Sequence, residues 1–185
     1  IEEVAANMQS WATRGLPSLH ISLNQSVAQY SSSECHVKWL DILKKKQISP
    51  RSITFEISEK VFFEEKNNYL NSIEKLKKEG IQISLDSFGT GYSSLSYLKK
   101  FPVDVIKIDR SYIHTMIDDP TNAILVETII LLANKLGIKV IATGVENKEQ
   151  LALLKQQCRY AQGYYFSKPL PLSEFEAFME MHNRM

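Results

Sequence analysis

Asn24, Glu56, Asp86, Lys107, Glu146 and Gln162 each fall in or just past the later half of an apolar, strand-like stretch. If those stretches lie parallel, their ends share one rim. Carboxylates with amide partners and a lysine converging there would make an oxygen-ligand site for a divalent cation, with a cationic assistant, of the kind that cleaves phosphate esters. Each residue also has an ordinary structural explanation. Glu56 could be a hydrogen-bonded core carboxylate, and Lys107 an ion pair inside a barrel. Asp86 with Gly89 to Gly91 could be a strand-to-turn connection, Asn24 an Asx turn and Gln162 packing. Their joint placement favours the site. No HExxH pair occurs, which argues against zinc. His20, His36, His114 and His182 have no ligand spacing and read as structural, and the lysines at 44–46 read as a solvated helix face.

The elements that must position these residues alternate strictly. Strand-like stretches cover 19–23, 53–57, 81–85, 103–108, 138–142 and 160–166, and helix candidates cover 34–46, 65–79, 93–100, 122–136, 148–156 and 174–182. An opening helical stripe of Ile1, Val4, Met8 and Trp11 has no capping residue before it. Pro120 marks a helix start, Asn147 with Gln150 and Ser173 with Glu176 have capping-box spacing, and Gly80 and Gly137 follow helix ends. Six strand-helix units in alternation predict a parallel sheet with right-handed crossovers, wound open or closed into a barrel. A complete eight-unit barrel takes about 250 residues, so a barrel here would lack roughly two units at its front. The uncapped start suggests a piece of something longer. Six strands would leave two open edges and an apolar interior, so further strands or another chain are expected to cover them.

Bulk properties narrow the function. The 185 residues are 44% hydrophobic and 23% charged, enough for one core, and read as one domain over 1–185. The formal charge of +1, with acids and bases mixed, leaves no basic face for DNA or RNA but permits a small anionic ligand. Cys35 and Cys158 have no metal spacing and read as reduced thiols of a cytoplasmic protein. No apolar run reaches the roughly 18 residues of a membrane span, so no membrane contact is expected from this segment. Neither GxGxxG nor GxxxxGK[ST] is present.

Specific motifs sharpen the reading. Asn24-Gln25-Ser26, FEISE (55–59), LDSFGTGYSSLSYL (85–98), VIKIDRSYI (105–113), ATGVEN (142–147) and QGYYFSKPLP (162–171) resemble, in order and spacing, motifs of EAL-domain cyclic di-GMP phosphodiesterases. The resemblance spans the chain. It implies a TIM-type (β/α)8 barrel that binds two Mg2+ or Mn2+ ions and hydrolyses cyclic di-GMP to pGpG. By that pattern Asn24, Glu56 and Asp86 match metal ligands, Lys107 helps position the attacking water, and Glu146 and Gln162 match further active-site positions. Glu59 with Phe88, Gly89, Thr90, Gly91, Tyr92, Ser93 and Ser94 matches a loop that links the metal site to dimerisation. Ser167, Lys168 and Pro169 resemble the part near a guanine.

Three departures from the pattern matter. The Glu-Ala-Leu signature is absent; Ser87 stands where the family has a second aspartate; Thr143 stands where it has glutamate. Both internal changes replace a carboxylate by a neutral hydroxyl around the second cation, so one cation at most is expected. The expected function is therefore a degenerate receptor or signal-transmitting module for cyclic di-GMP. The alternatives are an active phosphodiesterase using substitute ligands and a nucleotide-independent interaction module. A homodimer through the barrel and an upstream sensor or GGDEF diguanylate cyclase domain are the expected partners.

Overall fold

The computed structural model describes residues 1–26, 29, 33–59, 68–90, 98 and 102–182. Its six strands are β1 (Ile21–Asn24), β2 (Ile53–Ser58), β3 (Gln82–Phe88), β4 (Val105–Ile108), β5 (Lys139–Thr143) and β6 (Tyr160–Gln162), hydrogen-bonded in chain order. All five pairings are parallel. Seven α-helices are described with them: α1 (Glu2–Thr13), α2 (Ser33–Lys45), α3 (Asn68–Lys78), α4 (Arg110–Thr115), α5 (Pro120–Lys135), α6 (Lys148–Leu154) and α7 (Leu172–His182). The result is a parallel half-barrel: the alternation predicted the parallel sheet, and the family resemblance the barrel.

Strand β2 shows why this sequence makes a sheet between two different environments. Ile53, Phe55 and Ile57 are fully buried on one face, while Thr54 and Glu56 alternate onto the other, the two-residue period of a strand. Burying each large apolar side chain contributes about 1.5–3 kcal/mol. Phe55 meets the Trp39 ring of α2 edge-on at 5.0 Å, so Phe55→Ala would cost about 3–5 kcal/mol. β4 is buried throughout, as a central parallel strand should be.

The N-terminal half of the concave face forms a cavity of about 390 Å³ in which His20, Ser22, Thr54, Gln82, Ser84 and Lys139 alternate with Val105, Ile141 and Tyr160. Much of its exposed lining is apolar, with hydroxyl and amide groups set into it by the strand register. The edges β1 and β6 are the two ends of the sheet.

Helix ends follow local chemistry. Asp119 caps α5 through Thr121 N with Pro120 in its first turn, and Asn147 and Gln150 form the expected reciprocal box on α6. The box expected of Ser173 and Glu176 does not form. α7 begins at Leu172, and the Glu176 carboxylate accepts from Trp11 Nε1 and Arg14 Nη1, both at 2.8 Å. A long-range partner has taken the group, and the same contact joins the first helix to the last, with the Trp11 and Phe175 rings 5.7 Å apart. Strand limits also differ: β3 runs on to Phe88, whereas β4 starts at Val105 and β6 ends at Gln162. Helix α4 was not anticipated, since six residues are too few to show a periodic stripe. Apart from Leu98, the helix expected at 93–100 lies outside the described residues, as do Gly91, Tyr92, Ser93 and Ser94.

Candidate functional site

Parallel pairing delivers the rim residues side by side. Asn24 is in register with Glu56, Ser58 with Asp86, and Thr143 with Gln162. Lys107, one strand further on, reaches back so that its Nζ lies 3.0 and 2.8 Å from the two Glu56 oxygens and 4.0 Å from Asp86 Oδ1. Glu56 and Lys107 are both buried, whereas Asp86 is partly open. Two carboxylates against one ammonium leave this corner net negative, and Asn24 adds an amide beside it.

An open polar cavity of about 520 Å³ continues from Asp86 and Lys107 across the ends of β4, β5 and β6. Of the residues singled out by sequence, Asp86, Ser87, Lys107, Thr143, Glu146 and Gln162 line it. Glu56 is buried behind Lys107, while Asn24, Ser167, Lys168 and Pro169 are not among the lining residues. Lys168 reaches toward the site only by placing its Nζ 5.9 Å from the ring centroid of Tyr164, a lining residue. Glu59 is buried and its Oε2 accepts from the amides of Gly89 and Thr90, both at 3.2 Å, so the β2 end and the turn after β3 are linked. Phe88 is buried beneath that turn.

Sequence reasoning missed Asp109, Arg110, His114 and Tyr164, which also line the cavity. The first three come from α4 and its cap, and the signal for them was an Asp-Arg-Ser start with Arg110 and His114 four residues apart on one helix face. His114 Nε2 lies 3.3 Å from Glu146 Oε1, so the histidine taken as merely structural contacts a candidate site carboxylate. Burial alone would raise the Asp109 carboxyl; hydrogen bonds from Ser111 and Ser87 and the Arg110 charge outweigh it, leaving the group below its ordinary value. Two glycines make room for this packing. A side chain at Gly144, where φ is +80°, would come 2.5 Å from Arg110 Cβ, and one at Gly163 would come 2.1 Å from Val145 O.

At the substituted positions Thr143 Oγ1 donates to Ile108 O at 2.5 Å, and Ser87 takes a left-handed backbone conformation with φ +55°. Among the described residues, no group of three or more His, Cys, Asp or Glu side chains is placed to hold a metal ion.

Comparison with known sequences decides the family, because the EAL domain profile matches residues 1–169. The chain belongs to the EAL domain family. This EAL domain is 39% identical over 131 residues to the cyclic di-GMP phosphodiesterase NbdA of Pseudomonas aeruginosa, covering 70% of the chain and 17% of NbdA. Its fold superposes on the MucR phosphodiesterase from the same organism, solved with c-di-GMP, with a TM-score of 0.87 at 31% identity over 94% of this chain and 71% of that one. It is also similar to Klebsiella pneumoniae BlrP1, solved with manganese and cyclic di-GMP, with a TM-score of 0.80 at 27% identity over 91% of this chain and 43% of that one. The EAL domain spans between about a sixth and a third of the length of the curated relatives it matches. No helix among the described residues is long and apolar enough to cross a membrane.

Proposed function

We propose that this EAL domain binds cyclic di-GMP and transmits its presence through the barrel surface, with little or no hydrolysis. The observation that carries the reading is the state of Ser87 and Thr143. Each puts a neutral hydroxyl residue on the cavity wall where the family pattern has a carboxylate, and the Thr143 hydroxyl already donates to Ile108 O. Mg2+ prefers an octahedral shell of oxygens, several of them charged, and gives up water reluctantly. Two neutral groups, one of them already donating to Ile108 O, do not fit such an ion.

The first cation position fits better. Asn24, Glu56 and Asp86 supply only oxygen donors from three neighbouring strand ends, and these residues would hold one Mg2+ or Mn2+. Such an ion would supply positive charge to a phosphodiester oxygen. Lys107 neutralises Glu56, Glu146 stands over the cavity on the β5–α6 turn, and Gln162 offers an amide at its far wall. Tyr164 provides a ring for a base, and Ser167, Lys168 and Pro169 extend that side toward a guanine. Binding draws on phosphate, stacking and base contacts and needs no activated water. Glu59 with the turn from Phe88 to Thr90 couples the site to the neighbouring surface, where α5 exposes Ile124 and Leu131 for a homodimer.

One observation favours a second reading. Asp109 lines the cavity beside Ser87 and stands as a substitute carboxylate for the missing one, which would restore a phosphodiesterase. Calorimetric titration of cyclic di-GMP with and without Mg2+ or Mn2+, with pGpG followed chromatographically in the same samples, separates the readings. Binding without turnover supports the receptor. Turnover at an ordinary enzyme rate supports the second reading, and neither binding nor turnover leaves a protein-interaction module. The domain is assigned to the cytoplasm, within a longer protein that carries a sensor or GGDEF domain.

A further inference from the structure

We infer that Tyr112 is a positioning residue for the candidate site: its side chain fastens the turn after β3 to α4, and so holds in place the bulge that presents Asp86 and Ser87 together. The inference rests on the reading above, in which Asp86 belongs to the cation position. Neighbouring residues of a regular strand point to opposite faces, yet Asp86 and Ser87 both line the same cavity. The pairing of β3 with β4 explains this. Leu85 is in register with Ile106 and Phe88 with Ile108, so two residues of β3 stand opposite Lys107 alone, a bulge that re-aims side chains. Ser87 within it has φ +55°, a left-handed value uncommon outside glycine, so the conformation must be held by what surrounds it.

Gly89, two residues further on, is held at both of its backbone groups. Its amide donates to Glu59 Oε2 at 3.2 Å, and its carbonyl accepts from Tyr112 Oη. The Tyr112 ring fills the space beside it: a side chain at Gly89, where φ is +103°, would come 2.8 Å from Tyr112 Cε2. Within the turn, Thr90 Oγ1 donates to Ser87 O at 3.1 Å. Tyr112 is itself rooted, since its ring packs against the core and its amide donates to Asp109 O at 3.3 Å. Asp109 N donates to Phe88 O at 3.4 Å, so the start of α4 and the end of β3 also meet through backbone. Tyr112 is not among the residues lining the cavity, so its effect runs through Asp86. A freed turn lets the bulge relax, and Asp86, 4.0 Å from Lys107 Nζ, then loses its fixed place in the corner with Glu56 and Lys107.

The test is Tyr112→Phe in the full chain, which keeps the ring and removes only the hydroxyl. Without metal or nucleotide, the NMR signal of the Gly89 carbonyl carbon is expected to move upfield. The Gly89 and Thr90 amides are expected to exchange roughly three- to tenfold faster, the loss of one hydrogen bond from a local opening. The melting temperature should fall by no more than about 3 °C. Mn2+ titration followed by electron paramagnetic resonance should show the variant binding the ion roughly three- to tenfold more weakly than the wild type. An unmoved carbonyl signal or unchanged exchange would overturn the tie between Tyr112 and the turn. Faster exchange with unchanged Mn2+ affinity would make Tyr112 purely structural and overturn its positioning role. A wild type that takes up no Mn2+ would defeat the cation position of the reading above, and the exchange comparison would still decide whether Tyr112 holds the bulge.

Discussion

Lys107 Nζ bonds both carboxylate oxygens of Glu56, at 3.0 and 2.8 Å, in a pair almost wholly withdrawn from water. A cation taken up by Asn24, Glu56 and Asp86 must therefore share Glu56 with an ammonium already in place. Pair and site compete for the same oxygens.

Breaking the pair from one side strands a buried charge. Lys107→Met is expected to cost about 3–5 kcal/mol in a denaturant melt, and the double change Glu56→Gln with Lys107→Met to recover a large part of that. If the single variant is as stable as the wild type, the carboxylate is less isolated than its burial indicates.

Cation stoichiometry follows from the donor set. Mn2+ titration followed by electron paramagnetic resonance should give no more than one bound ion per chain, and the combined S87D and T143E variant should add a second. Two ions on the wild type would make Asp109 a substitute ligand and restore the phosphodiesterase reading.

Acid should weaken the fold well above the carboxylate range. Burial, helped by Lys139, pushes the His20 imidazole below its ordinary value, and burial with Lys75 does the same for His36. A depressed folded value means that the unfolded chain takes up the proton first. Stability is therefore unaffected at high pH and falls as pH drops below the unfolded value of about 6.5. Melting temperatures from pH 8 to 5.5 should decline, and His20→Gln should flatten the decline. Asp109 acts in the same sense at lower pH: its depressed value stabilises the fold above about pH 4, and that contribution disappears as pH falls through the folded value.

The exposed face of α5 makes a prediction about assembly. Ile124 and Leu131 lie two turns apart and are 63% and 61% exposed. Replacing both with glutamate should convert a dimer to a monomer in sedimentation velocity while changing monomer stability by less than about 1 kcal/mol. A wild type that sediments as a monomer at high concentration would remove the homodimer from the proposal.

Much of this molecule was legible before its structure. The alternation of stretches such as 53–57 with helical ones depends on the two-residue period of a strand and the 3.6-residue period of a helix, and both repeat within a short window. Pro120 and the Asn147–Gln150 box mark helix starts because capping is chemistry between near neighbours. The placement of Asn24, Glu56, Asp86 and Lys107 at strand ends needed only the rule that parallel strands share a rim. The motifs from 85–98 and 105–113 were specific enough to carry the family.

What only the tertiary structure decided were pairings between residues far apart in sequence. Glu176 left its local cap for Trp11 and Arg14, more than 160 positions away. Hydroxyls entered the interior because strand register, which no single segment contains, turned Ser22, Thr54 and Ser84 inward. Helix α4 was too short to show a period, yet its position beside the ends of β3 and β5 brought Asp109 and His114 into the site. Ser87 and Thr143 could be read from the sequence as lost carboxylates. That the Thr143 hydroxyl is taken up by Ile108 O depended on the ends of β4 and β5 meeting in space, a relation set by the packing of the whole sheet.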